Sequence, residues 1–82
     1  MGINPPKSER AGKKFCFIVT GVGAIIEVKL TGIPGAKFTI KNGSKPGTKE
    51  VCISTPKGSH GFLNIRVGSG GAIDRGAVLI YP

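Results

Sequence analysis

Apolar and polar side chains alternate most clearly over residues 24–41, which read AIIEVKLTGIPGAKFTIK. Apolar residues recur at every second position in the first half of this stretch, and Phe38 and Ile40 continue the pattern in the second half. A period of two places successive side chains on opposite faces of a β-strand. Between the halves, the sequence GIPG at 32–35 favours a type II turn, because proline fixes φ and glycine accepts a positive φ. The pattern therefore predicts a β-hairpin.

Four further segments have the character of strands and are separated by turn-forming residues. They lie at 15–19, 50–54, 62–67 and 76–81. The segment 15–19, FCFIV, is apolar at every position, which predicts a strand that is central or covered on both faces. No stretch has a helical period, and fourteen glycines and six prolines oppose helix formation. We predict an all-β protein with minimal helix, a small antiparallel six- or seven-stranded β-sandwich or barrel.

The same alternation predicts which side chains form the interior. The expected core residues are Phe17, Ile26, Val28, Leu30, Phe38, Ile40, Leu63, Ile65 and Leu79. The sequence GSGG at 68–71 predicts a flexible loop, followed by a short turn at 72–75. A chain of 82 residues is expected to form one domain. We place a single β domain at 15–82, preceded by an extended basic N-terminal arm at 1–14.

The N-terminal arm contains residues suited to contact with another molecule. Its candidate assembly residues are Pro5, Pro6, Lys7, Arg10, Lys13 and Lys14. The two prolines restrict the backbone before any contact forms, which lowers the entropy lost on docking. Because the arm has few apolar side chains to bury against its own domain, we expect it to contact a neighbouring subunit. A plain disordered terminus is the alternative.

The chain is strongly basic. Twelve Lys and Arg residues against four Asp and Glu residues give a formal net charge of +8, which attracts nucleic acids, acidic glycans and other polyanions. The candidate polyanion-binding residues lie on the predicted hairpin and the loop after it: Lys29, Lys37, Lys41, Lys45 and Lys49. Proteins that bind single-stranded nucleic acid add exposed aromatic side chains to such a surface. Here Phe15, Phe17 and Phe38 are expected in the core, and edge lysines also protect strands from aggregation.

The two cysteines leave two states open. A disulfide between Cys16 and Cys52 would close a loop of about 35 residues and stabilise the domain by ~3–4 kcal/mol in the chain-entropy model. The alternative is a pair of reduced, half-buried thiols, which we favour because no secretory signal indicates an oxidising compartment. With a single histidine and no CxxC pair, the sequence predicts no metal site, and it predicts no cofactor.

No arrangement of residues indicates catalysis. Ser59, His60 and Asp74 are the only members available for a Ser-His-Asp triad, and the adjacent side chains of Ser59 and His60 diverge in an extended segment. A pairing of either cysteine with His60 lacks a third group to orient the imidazole. The four carboxylates are far apart in sequence. We therefore predict no catalytic residues and no enzyme.

Three classes of function remain from the sequence. We expect a non-enzymatic structural or interaction module, most plausibly a subunit of a virion, filament or surface assembly, which associates with itself or with another protein subunit. The alternative is a polyanion-binding protein that uses the lysine-rich ribbon to hold nucleic acid or an acidic glycan. A small enzyme, toxin or inhibitor is a third class, but no residue in the sequence indicates a site for such an activity.

The sequence has few features that indicate a cellular location or a protein family. No window approaches ~18 consecutive apolar residues, so no transmembrane segment is predicted. The N-terminus shows no apolar signal sequence, which favours a cytoplasmic or virion location. The segment GIPGAKFTIKNG at 32–43 resembles the hairpins of immunoglobulin-like and transthyretin-like modules. That pattern of turn and strand is generic, and it assigns no family.

Overall fold

The computed structural model describes all 82 residues, and every regular element in it is a β-strand. The strands are β1 (Gly2–Ile3), β2 (Ser8–Arg10), β3 (Phe15–Thr20), β4 (Glu27–Thr31), β5 (Lys37–Asn42), β6 (Thr48–Ser54), β7 (Gly61–Ser69) and β8 (Ala72–Tyr81). They form two four-stranded sheets with the orders β1-β3-β6-β5 and β2-β8-β7-β4. The predicted all-β fold without helix is confirmed.

The turn predicted at 32–35 forms, but it does not close a hairpin. The Ala36 amide donates to the Ile33 carbonyl at 3.2 Å, and Gly35 has a φ of 79°, as the third residue of a type II turn requires. However, β4 pairs with β7, and β5 pairs with β6 in the other sheet. The predicted hairpin is therefore wrong. Its turn carries the chain from one sheet to the other, because the Ile33 side chain is buried in the core and holds the turn between the sheets.

The longest hairpin joins β7 to β8 through two glycines. Its register runs from Gly61 opposite Ile80 to Ser69 opposite Ala72. Gly70 and Gly71 both have positive φ, 56° and 87°, which is the backbone of a type I′ turn. The loop predicted at 68–71 is confined to Gly70 and Gly71, and the turn predicted at 72–75 is wrong, because those residues belong to β8. Two residues with left-handed backbone suffice to reverse the chain, so β8 begins at once.

The core fills the space between the sheets. Four predicted core residues are confirmed as buried, namely Phe17, Ile26, Leu63 and Ile65, and Val28 and Leu30 are partly buried against the same cluster. In β3 the buried residues alternate with exposed ones, so this strand is central in its sheet but covered on one face only. Its outward residues include Ile18, which is exposed although the strand is apolar throughout.

Three predicted core residues are wrong. Phe38 and Ile40 are 41% and 38% exposed, because β5 is the edge strand of its sheet and its inward side lies at the open margin of the sandwich. Leu79 is 41% exposed, because the neighbours on either side of it, Val78 and Ile80, are the residues of β8 that point into the core. The run AVLIY at 77–81 places apolar or aromatic side chains on both faces of the strand, so the sequence does not show which face is buried.

The N-terminal arm lies on its own domain and crosses from one sheet to the other. β1 pairs with β3, and β2 pairs with β8 in the one parallel pairing of the fold. The Ile3 amide donates to the Asp74 carboxylate at 3.1 Å, Pro5 lies against Gly76, and Ala11 is buried in the core. The arm is thus ordered by contacts within the chain, chiefly backbone pairing, which a count of apolar residues does not detect.

The strand order is shared with a known architecture. The sheets β1-β3-β6-β5 and β8-β7-β4 correspond to the A-B-E-D and G-F-C sheets of constant-type immunoglobulin domains, with β2 added beside β8. The disulfide differs from that of antibody domains, because it joins β3 to β6 within one sheet, and the chain has no tryptophan. One architecture supports many activities, so the function has to be argued from the surface.

Candidate functional site

The five lysines of the predicted ribbon do not form one surface. Lys37 and Lys41 lie on β5, whereas Lys29 lies on β4 in the opposite sheet. Lys45 and Lys49 line an open groove of about 590 Å³ formed by residues 22–24 and 42–49. A continuous stripe is therefore wrong, since it required β4 and β5 to be paired. Binding of a polyanion by any one of these lysines stays a prediction.

Two of these lysines already have partners on the protein. The Lys41 ammonium lies 2.8 Å from the Glu50 carboxylate on the neighbouring strand. The Lys49 ammonium donates to the Asn42 side-chain carbonyl at 2.6 Å. The exposed Lys41–Glu50 ion pair contributes ~0–1 kcal/mol, and it reduces the positive potential available to a ligand. Asn42 is neutral, so its hydrogen bond leaves the charge of Lys49 in place. The outer face of the β5 sheet is thus partly neutralised at Lys41.

A different group of cations lies together on the outer face of the β2-β8-β7-β4 sheet. Lys29 on β4 is directly opposite Arg66 on β7, and Arg66 is directly opposite Arg75 on β8. All three side chains are exposed, and none of them takes part in a salt bridge. Because neighbouring strands are ~4.8 Å apart, the three backbone positions span ~10 Å. We call these three residues the cation row.

The electrostatics of the cation row are unfavourable in the free protein. Like charges directly opposite each other destabilise a sheet. Glu27, two residues before Lys29, is the carboxylate of β4 on this face. The Asp74 carboxylate is engaged elsewhere, since it accepts the backbone amides of Ile3 and Arg75 at 3.1 and 2.9 Å. The cation row therefore presents positive charge that the protein itself leaves largely uncompensated.

Exposed aromatic and aliphatic side chains lie further along the same face from the cation row. Phe62 on β7 is 60% exposed and lies directly opposite Leu79 on β8. Tyr81, further along β8, is 43% exposed, and the Arg10 guanidinium on β2 lies 5.6 Å from the centre of its ring. We call the whole surface the basic face. Its residues are Arg10, Lys29, Phe62, Asn64, Arg66, Arg75, Leu79 and Tyr81.

An open groove continues the basic face beyond the cation row. Its volume is about 450 Å³, and its lining includes Ile25, Lys29, Arg66 and Ile73. The loop that forms one wall is fixed by Ser69 on β7, whose hydroxyl accepts the Gly23 amide at 3.2 Å. Aliphatic side chains thus flank the cation row on this side as well.

The cysteines are joined in a disulfide, so the free thiols that we favoured are wrong. Cys16 on β3 and Cys52 on β6 are directly opposite each other, a relationship that depends on register and cannot be read from their spacing in sequence. The Glu50 carboxylate lies within 4.8 Å of both sulfur atoms. Cysteine binds a metal ion as its thiolate, and the two sulfur atoms here are bonded to each other, so they offer no thiolate to a metal ion.

The residues available for a Ser-His-Asp triad do not converge. His60 immediately precedes β7, whereas Asp74 is paired with Val67 seven residues further along that strand, which corresponds to ~23 Å. The Ser59 hydroxyl donates to the Pro56 carbonyl at 2.7 Å within its own loop. These three residues therefore do not form a shared site.

Comparison of the chain with protein-family models, with curated proteins and with solved structures finds no match. The structure contains no helix that is long and apolar enough to cross a membrane. The function of this protein therefore has to be inferred from its own surface.

The sequence analysis did not identify the basic face. The alternation that places Leu63, Ile65 and Val67 inward also places Phe62, Asn64 and Arg66 outward, so three residues of the basic face were readable from β7. The position of Arg75 opposite Arg66 was not readable, because it depends on the two-residue turn that sets the β7–β8 register.

Proposed function

We propose that this protein is a non-enzymatic binding module that holds a polyanion on its basic face. The supporting observation is the cation row, in which Lys29, Arg66 and Arg75 lie directly opposite one another without a carboxylate partner. An anionic polymer brings several charges to the row at once, so its binding relieves the repulsion and releases condensed counterions. The net charge of +8 adds a long-range attraction that speeds association.

The shape of the surface favours a polymer over a small anion. The cation row lies on the open face of a sheet, and the groove next to it is also open to solvent. A small anion bound there would remain hydrated and would contact few groups. A polymer gains from every contact along its length, because each additional contact is made within the same complex.

Retention on heparin as a function of salt tests this proposal. The test variant combines Lys29→Gln, Arg66→Gln and Arg75→Gln, and the control combines Lys37→Gln, Lys45→Gln and Lys57→Gln, so both lose the same charge. We expect the test variant to elute at much lower salt and the control to elute near the parent. In a titration against labelled polyanion, loss of three contacts should reduce the slope of log K against log salt by ~2–3. Equal losses in the two variants would show that net charge alone governs binding.

We propose, as a second candidate function, that the protein is a structural subunit of a larger assembly, such as a virion, filament or surface structure. The supporting observation is β5, which pairs only with β6, so that its other edge is unpaired beside the exposed Phe38 and Ile40. Such an edge is a template for strand addition from another subunit. If the parent self-associates in sedimentation velocity, combining Phe38→Lys with Ile40→Lys should yield monomers. A parent that is monomeric at every concentration contradicts self-assembly.

A further inference from the structure

We infer that the polyanion held by the basic face is a single-stranded nucleic acid, with bases stacked on Phe62 and Tyr81 and phosphates at the cation row. The inference rests on the proposed polyanion-binding function and narrows its ligand class. Sequence reasoning discounts nucleic acid because three of the five aromatic residues are expected in the core. The structure exposes Phe62 and Tyr81, the remaining two, on the same face as the unpaired cations.

The spacing of the basic face suits a strand of nucleotides that runs parallel to β7 and β8. Residues on one face of a strand recur every ~6.6 Å, so Phe62 lies ~13 Å from Arg66, with Asn64 between them. Tyr81 is the diagonal neighbour of Phe62 across the β7–β8 pair, a separation of ~7–8 Å between backbone positions. The Arg10 guanidinium lies over one face of the Tyr81 ring, so it provides a cation at the far end and leaves the other face for a base. The aromatic pair is therefore flanked by cations on both sides.

Each component of the basic face matches one component of an unpaired nucleotide. An exposed aromatic ring stacks with any base, because every base has a π-face. The Asn64 side chain, which makes no hydrogen bond within the protein, offers both a donor and an acceptor to a base edge. The arginines and lysine contact phosphates. A duplex hides its base faces, so it would use the cations but not the aromatic rings.

The charge pattern favours nucleic acid over other anionic partners. A protein partner would have to bring carboxylates into register with three adjacent cations, and aspartate and glutamate are depleted in protein interfaces. An acidic glycan supplies charge but no aromatic face to stack on Phe62 or Tyr81. Proteins that lie on an anionic membrane typically bury the apolar face of an amphipathic helix in the lipid, whereas Phe62 and Tyr81 lie within the flat face of a sheet.

The intrinsic fluorescence of the unmodified protein provides a direct test. The chain has one tyrosine and no tryptophan, so tyrosine emission reports on Tyr81 alone. We expect a short oligothymidylate to quench this emission in a saturable way, because a base stacks on the ring. Heparin has no bases and should bind without such quenching, as should the same oligothymidylate annealed to its complement. Binding of oligothymidylate with unchanged tyrosine emission would show that Tyr81 does not stack.

A matched pair of variants tests the second aromatic residue. Phe62→Leu keeps an apolar side chain and removes the ring, and Phe38→Leu makes the same change at an exposed position on the opposite sheet. We expect Phe62→Leu to weaken binding of labelled oligothymidylate about tenfold, the loss of one stacking contact, and to leave heparin binding unchanged. Phe38→Leu should change neither.

Different results would overturn polyanion binding by the basic face and the inference that its ligand is single-stranded nucleic acid. If heparin binding needs the cation row but oligothymidylate binds no better than its duplex and ignores Phe62→Leu, polyanion binding stands and the nucleic-acid inference is overturned. If neither heparin nor oligothymidylate binds, both are overturned. Binding to phosphatidylserine vesicles that depends on Phe62, without binding to oligothymidylate, would identify a membrane surface and also overturn the inference.

Discussion

Cys16 and Cys52 occupy directly opposite positions on β3 and β6, with their Cα atoms 4.0 Å apart. These are the two central strands of one sheet, so the bond fixes the pairing within a sheet and leaves the two sheets to be held by packing. The same register sets Phe17 opposite Val51, and both are buried. A slip of one residue would turn these core side chains outward. The disulfide therefore protects the register of the core.

Removing the disulfide should destabilise the domain without changing its fold. We expect Cys16→Ser combined with Cys52→Ser to lower the free energy of unfolding by ~2–4 kcal/mol, because the unfolded chain regains the freedom that the bond removes. For a domain of this size the melting temperature should fall by roughly 10 °C or more. Scanning calorimetry measures the change, and the parent in reducing agent is the control. A double variant that melts with the oxidised parent would contradict a stabilising role.

Leu79 and Ile80 provide a matched test of which face of β8 is buried. They are adjacent isomers, and their exposed fractions are 41% and 1%. Ile80→Ala should cost ~2–5 kcal/mol, because a cavity opens in the core. Leu79→Ala removes the same number of carbons from the basic face and should cost less than ~1 kcal/mol. Urea denaturation of the two variants measures both, and similar losses would show that the assignment of faces is wrong.

In this fold, the sequence predicts which face of a strand is buried better than it predicts which strands pair with each other. Alternation along 62–67 identifies the inward Leu63, Ile65 and Val67, because the direction of a side chain in a strand is a local property. Pairing is not local. The alternation at 24–41 and the turn around Pro34 are both real, yet nothing local indicates that a buried Ile33 sends β4 and β5 to different sheets.

The same limit applies to the candidate site. Arg66 can be assigned to an outer face from its own strand, but Lys29 and Arg75 join it only through the registers of β4 and β8 with β7. The disulfide is hidden for the same reason. The buried face of the segment 76–81 could not be predicted for a different reason. An uninterrupted apolar run has no period of two that would show whether Leu79 or Ile80 is buried.

The β7–β8 turn should respond differently at its two glycines. Gly70 has a φ of 56° and Gly71 a φ of 87°, and a side chain at either position would meet no atom within 4 Å. Any effect of substitution therefore comes from backbone conformation. Gly70→Asn should be neutral or stabilising by up to ~1 kcal/mol, because asparagine followed by glycine is the preferred type I′ sequence. Gly71→Ala should cost ~1–2 kcal/mol. Equal effects in urea denaturation would contradict a type I′ turn.

The N-terminal arm should stabilise the domain through its contacts with both sheets. Deleting residues 2–12 removes β1 and β2 and uncovers one edge of β3 and one edge of β8. It also removes the buried Ala11 and the contact between Ile3 and Asp74. We therefore expect the truncated protein to lose several kcal/mol of stability, a large part of the total for a domain of this size, and to aggregate through its uncovered edges.

A single substitution should loosen the arm without removing it. A Cβ atom at Gly76 would lie 2.8 Å from the Pro5 ring, whereas one at Gly68 on the neighbouring strand would make an ordinary 3.7 Å contact. Gly76→Ala should therefore displace the arm, and Gly68→Ala should leave it in place. Trypsin cleavage after Lys7 and Arg10 reports on the arm, because both residues are part of, or next to, the β2–β8 pairing. We expect faster cleavage in Gly76→Ala than in the parent and in Gly68→Ala, and equal rates in all three would contradict close packing of the arm on β8.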